Sequence, residues 1–200
     1  MNPALSVVVF TTAAGAGQGL VVAIALAALT GIPLAPASLR GGLAIAIVLL
    51  VVGLAASFLH LGRPSRAWRA WLMWRTSWLS REVIVLPAFI ALVAAWWLLA
   101  RDAAGAPPSP LLPLAAIAVS ALLWLCTAMI YACLRFIEEW AQPLTVVNFV
   151  LLGLSSGLVL ACALAALAGD SRALAAALPA ALVATVVGGA ARVAALRRNA

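Results

Sequence analysis

Apolar residues along this chain come in long unbroken blocks, not at the period of two that marks a half-buried strand or the three-four spacing of a surface helix. Six blocks stand out, at residues 4–29, 39–61, 82–100, 111–134, 144–168 and 173–195. Each is about twenty residues or slightly more, the length an α-helix needs to cross a bilayer's hydrocarbon. No alternation of the outer-membrane kind appears, and in hydrocarbon only helices or closed barrels satisfy their backbone polar groups. The pattern predicts an all-α, polytopic transmembrane helical bundle of six spans, a single integral-membrane domain over residues 1–200. The first block is too long for a signal-peptide core and lacks a basic leader, so it is expected to stay as a helix. At 67% hydrophobic and 8% charged, the composition excludes a soluble globular domain.

The connections on one side are short and turn-rich: GIPLAPAS at Gly31 to Ser38, AGAPPSP at Ala104 to Pro110, and GDS at Gly169 to Ser171. On the other side, the segment 62–81 is long enough to fold into something of its own. A six-span topology puts Arg63, Arg66, Arg69, Arg75, Arg81, Arg135, Arg192, Arg197 and Arg198 on that side, and only Arg40, Arg101 and Arg172 opposite. By the positive-inside rule both termini and the 62–81 loop face the cytoplasm. The net charge of +7 is scattered over loops and forms no continuous basic face, which argues against nucleic acid as a partner. All the basic residues are arginine, a bias across the whole chain, so arginine at any one site is not evidence of bidentate recognition.

Inside the spans the polar signals are few. GAGQG at Gly15 to Gly19 and GLSSG at Gly153 to Gly157 place glycines four apart on one helix face, the pattern of close helix packing. Gln18 and Asn148 are intramembrane amides expected to bridge helices or border a cavity. Cys126, Cys133 and Cys162 fall in predicted spans without a Cys-x-x-Cys pair and are expected to pack as small apolar residues. Pro87 and Pro179 sit within predicted helices. No internal repeat supports an inverted-repeat transporter. A single histidine excludes a haem held by two imidazoles of this chain, and no motif offers another haem or metal site.

The chemistry concentrates in one passage, HLGRPSRAWRAWLMWRTSWLSRE, from His60 to Glu82. It holds five of the twelve arginines, four of the eight tryptophans and the only histidine. Pro64 sits where a helix can start, and Trp68, Trp71, Trp74 and Trp78 recur at three- and four-residue steps, so a short helix lying in the membrane interface is predicted. His60 is expected to end the second span before Gly62, and Glu82 to open the third after an N-cap at Ser80. Either residue alone would suit a helix macrodipole. Together they place an imidazole and a carboxylate at one depth on the two edges of the loop, which marks a functional candidate. A quinone would use such a group: its ring lies against indoles, its oxygens need partners such as Ser77 and Ser80, and its redox change moves protons that His60 and Glu82 can exchange. Nothing in the chain can hold a metal cluster, so the electrons would come from an iron–sulfur partner docked on the arginine-rich side.

SFLHLGRPSRAWRA followed by RTSWLSREV closely resembles the signature of the DMSO reductase family membrane anchor subunit (DmsC-like), part of three-subunit bacterial molybdenum enzymes. RFIEEWAQPLTVVNFVLLGLSSG, Arg135 to Gly157, is similar to a second stretch of such anchors, including those of quinone-linked sulfite dehydrogenases. The resemblance implies a haem-free anchor in the bacterial inner membrane that passes electrons between the quinone pool (menaquinone or ubiquinone) and a ferredoxin-like subunit with 4Fe–4S clusters. That subunit would serve a molybdopterin catalytic subunit oxidising sulfite or reducing a sulfoxide. It implies His60 and Glu82 as the quinone-binding and proton-transfer residues, with Trp78 and Arg81 beside them, and Arg63, Arg66, Trp68, Arg69 and Arg75 suit partner docking. Family anchors usually run to about eight spans, against six here. The competing readings are a small-solute transporter, which would place charges along a pathway through the bilayer, and an inert tether for soluble subunits.

Overall fold

The computed structural model describes residues 4–59, 64–100 and 109–198, with the backbone alone at 64–67. Six long helices form, α1 (Leu5–Leu29), α2 (Pro36–Phe58), α3 (Trp78–Leu99), α4 (Leu111–Ala132), α5 (Pro143–Leu167) and α6 (Ser171–Arg198), and all six are long and apolar enough to cross a membrane. The predicted spans hold to within a few residues. The main differences are α2, which starts and ends three residues early, α3, which starts four residues early, and α6, which runs three residues further. The predicted interfacial helix is present as a 3₁₀ helix over Pro64–Met73, packed against α3.

Helix α1 is the hub. It packs against α2, α4 and α5, while α3 joins α2 to α4, and α6 lies on α5. The reason is visible in its sequence, where Gly15 and Gly19 remove the side chains that would hold a neighbour off. Gly15 and Gly19 meet Gly153 and Gly157 of α5, and a methyl group at Gly19 or Gly157 would overlap the backbone of the facing helix. The two glycine motifs are therefore one crossing, each supplying half. Around it pack Leu20, Val21, Leu43, Leu50, Phe89, Val93, Trp96 and Leu123, all fully buried.

At the end of the bundle away from the arginine-rich loop, Asp170 ties the chain together. Its carboxylate accepts from the Ala173 N–H (3.1 Å), capping α6, and from the Ala35 N–H (2.8 Å) at the start of α2. These backbone donors, the Ala35 N–H first, hold its carboxyl below the usual carboxylate range. Gly31 and Gly169 turn with φ of 71° and 68°, a conformation that suits glycine at the ends of α1 and α5.

Candidate functional site

The expected N-cap at Ser80 moves forward by three residues. Ser77 is the cap of α3, its Oγ accepting from the Ser80 N–H at 3.4 Å, and Ser80 is buried one turn inside. Ser77 caps the helix because it follows the loop's last turn and has the extended backbone a cap requires. Glu82 consequently is the fifth residue of α3 rather than its opening one. It lies past the first turn, where the macrodipole is felt, so that explanation of its position falls away.

Glu82 does not face the loop. It is 5% exposed and accepts a hydrogen bond from the Thr127 hydroxyl of α4, itself 6% exposed. His60 and Arg63 lie outside the described residues, as does the side chain of Arg66, so the expected facing of His60 and Glu82 is not part of the structure described.

Arg81 points the other way from Glu82. Its guanidinium lies over the Trp78 ring, 4.2 Å from the ring centre, and donates to the Trp74 and Arg75 carbonyls at 2.9 Å each. This clasps the end of the loop onto the start of α3. Arg69 and Arg75 lie over Trp68 and Trp74 at 5.3 and 5.5 Å. Trp68, Trp71 and Trp74 are more than half exposed.

Beside Thr127 opens a cavity of about 670 Å³ between α1, α4, α5 and the end of α6. Its volume falls within the range of small-molecule sites. Thr11, Gly15 and Gln18 line it from α1, Trp124, Thr127 and Tyr131 from α4, and Arg192 from α6. The stretch from Arg135 to Gly157 supplies nine more: Glu139, Trp140, Gln142, Thr145, Asn148, Phe149, Leu152, Gly153 and Ser156. These are beginnings of odd-numbered helices and ends of even-numbered ones, so the cavity lies at the end of the bundle that carries the arginine-rich loop. Tyr131 builds its aromatic wall, stacked on Phe149 (5.4 Å, 22°) and edge-on to Trp140 (5.2 Å, 82°). Ser77, Trp78, Ser80 and Arg81 are not among its lining residues, and Glu82 reaches it through Thr127.

Of the two expectations for the intramembrane amides, bordering a cavity holds for both Gln18 and Asn148, and among the described residues no hydrogen bond from either crosses to another helix. Gln18 donates from Nε2 to the Ala14 carbonyl of its own helix at 3.1 Å, and its Oε1 has no partner; the Asn148 Oδ1 and the Trp124 Nε1 are likewise buried and unpartnered. Of the cysteines, Cys126 and Cys162 are buried as expected, but Cys133 is the exposed C-cap of α4, because that helix ends before it. Thr127, Trp124 and Tyr131 went unremarked in the sequence. The signal available was a threonine inside the apolar run LLWLCTAMIY, where an uncompensated hydroxyl needs a reason.

Residues 1–198 match the family model described as DMSO reductase anchor subunit (DmsC). The chain is 46% identical over 223 residues to the C subunit of the sulfite dehydrogenase of Allochromatium vinosum, covering 100% of this chain and 66% of that protein. The chain thus spans just under two thirds of that relative's length. No solved structure matches it significantly.

Proposed function

This chain belongs to the DMSO reductase anchor subunit (DmsC) family, and from that premise we propose that it is the quinone-reactive, haem-free anchor of a three-subunit molybdenum oxidoreductase. In this reading it lies in the bacterial inner membrane with both termini cytoplasmic. It links the quinone pool to a ferredoxin-like iron–sulfur subunit and, through it, to a molybdopterin subunit. The likeness to part of a sulfite dehydrogenase favours sulfite as the partner's substrate.

The observation that carries the proposal is the Glu82–Thr127 pair at the wall of the cavity. A buried carboxyl group is costly in a bundle core unless it is hydrogen-bonded. Here its partner hydroxyl is also a lining group of a space of about 670 Å³, walled by Tyr131, Phe149 and Trp140. The fit to a quinone ring is favourable: flat aromatic walls, apolar surroundings from Val7, Val8 and Leu152, and a few convergent polar groups. A bound quinone or quinol would supply the two-electron, two-proton chemistry. This chain's residues would do the rest. Thr127, whose hydroxyl donates to Glu82, would accept from a ring hydroxyl through its oxygen and relay a proton between that oxygen and the Glu82 carboxylate, and His60 is assigned, by its place in the matched motif, to proton exchange with the cytoplasmic edge. Exposed Arg69 and Arg75, with Arg63 and Arg66, suit an acidic partner surface.

The test is electron transfer between a short-chain quinone analogue and the partner's clusters in the purified complex. Glu82→Gln and His60→Ala are expected to leave assembly intact and lower quinone turnover by about 100-fold, the scale of a lost general acid–base group. Undiminished turnover in Glu82→Gln refutes the assignment of the carboxylate.

A further inference from the structure

The inner end of the cavity holds two polar atoms that neither the Glu82–Thr127 pair nor helix packing explains. The first is the Gln18 Oε1. The amide orientation is fixed, because Nε2 donates to the Ala14 carbonyl at 3.1 Å and a flip would set oxygen against oxygen. What faces away is therefore an acceptor only. It is buried, without a partner, on a residue 2% exposed.

The second is the Trp124 Nε1, a donor only, also buried and without a partner. The two lie at one level of the bundle. Gly15 meets Gly153 where α1 crosses α5, and the Trp124 Nε1 stands 2.7 Å from where a methyl group on Gly153 would be. Gln18, one residue before Gly19 and bonded back to Ala14, lines the same cavity as Trp124. Both residues line the cavity, yet they do not bond each other.

An acceptor and a donor that share one cavity wall without meeting are satisfied together by a group that can both donate and accept. A hydroxyl does so. A carbonyl oxygen can take the indole proton but leaves the amide oxygen as unpaired as it is in the empty cavity, so only a hydroxyl gains the second hydrogen bond. Trp124 and Thr127 are three residues apart on α4, hence on one face and separated by about 4.5 Å along its axis. A ring carrying oxygens at opposite positions can span Thr127 and the Gln18–Trp124 pair.

Resting on the quinone reading above, we infer that Gln18 and Trp124 form an acceptor–donor clamp for one ring hydroxyl, by which the inner end of the cavity prefers a quinol over the corresponding quinone. Gln18 supplies the discrimination and Trp124 the grip common to both forms. Both are binding and specificity residues, separate from the proton-handling pair at Thr127.

The experiment is a binding measurement on the native assembly in nanodiscs, with a short-chain naphthoquinol kept reduced under anaerobic conditions and its naphthoquinone. Gln18→Leu is expected to weaken quinol binding about tenfold, one hydrogen bond's worth, and to leave quinone binding unchanged. Trp124→Phe is expected to weaken both. If Gln18→Leu binds both forms like the wild type, the clamp is overturned while the quinone reading stands, and the polar gap then takes only water. If the wild type binds neither form, the quinone reading itself falls and the clamp with it. A second measurement needs no variant: an azido-naphthoquinol photolabel on the wild type should mark the peptides carrying Gln18 and Trp124. Labelling confined to other helices overturns the clamp.

Discussion

The hydrogen bond from Thr127 to Glu82 can be tested as a structural element before any electron is followed. Thr127→Val keeps the branched shape and removes only the hydroxyl, so little change in packing accompanies it. Interhelical hydrogen bonds in membranes contribute about 0.6 kcal/mol on average. A buried oxygen stripped of its partner costs more, about 1–3 kcal/mol. Since both residues are almost fully buried and, among the described residues, nothing else hydrogen-bonds the Glu82 carboxylate, the second effect should dominate. Thr127→Val is expected to cost about 2 kcal/mol. Glu82→Met combined with Thr127→Val removes both polar groups and should cost less than the sum of the single changes, with a coupling of at least about 1 kcal/mol. The assay is reversible SDS unfolding in bicelles across the four proteins of the double-mutant cycle. Singles that add without coupling, or a Thr127→Val protein as stable as the wild type, would refute the pairing and remove the link from the carboxylate to the cavity.

Two further outcomes probe the frame around the site. Gly157→Ala sets a methyl group into the α1 backbone and should cost about 3 kcal/mol in the same unfolding assay, whereas Gly189→Ala, with open space around it, should be neutral or slightly stabilising. Asp170→Ala should cost about 1 kcal/mol near neutral pH through the lost cap; because the folded pKa is depressed, that contribution is present above the ordinary aspartate pKa of about 3.9 and lost as pH falls through the lower folded value, so wild type and variant should converge in acid melts.

The spans were readable because hydropathy over about twenty residues leaves the backbone no other solution in lipid. The glycine motifs were readable as packing faces, but not as partners of each other, since which two helices cross depends on the whole bundle. Glu82 drew attention as an acid near a loop. Its partner Thr127 did not, because nothing local connects positions 45 apart in sequence. The expected cap at Ser80 failed on a similar point: the cap falls at Ser77, decided by where the preceding 3₁₀ helix lets the chain turn. The stretch Arg135 to Gly157 was legible as a resemblance and contributes much of the cavity wall, a role that its residue types do not reveal without the fold.

The linings of the two cavities bear on why a ligand is proposed at one end of the bundle. At the far end, a smaller space of about 260 Å³ lies between α1, α2, α5 and α6 among Leu20, Ile24, Leu158, Leu164 and neighbouring alanines, a mostly apolar lining whose side-chain hydroxyls are those of Thr30 and Ser38. The larger space has the opposite character: it borders the unpartnered atoms of Gln18, Trp124 and Asn148, each of which costs stability while it stays unpaired. Leucine or phenylalanine at these positions would pack the bundle without that cost, and the glycine crossing of α1 and α5 beside them needs no polar aid to form. Helix packing therefore accounts for the small residues of this crossing and not for its polar ones. In the proposed reading, a ligand carrying its own hydrogen-bonding groups would satisfy what these polar residues leave open.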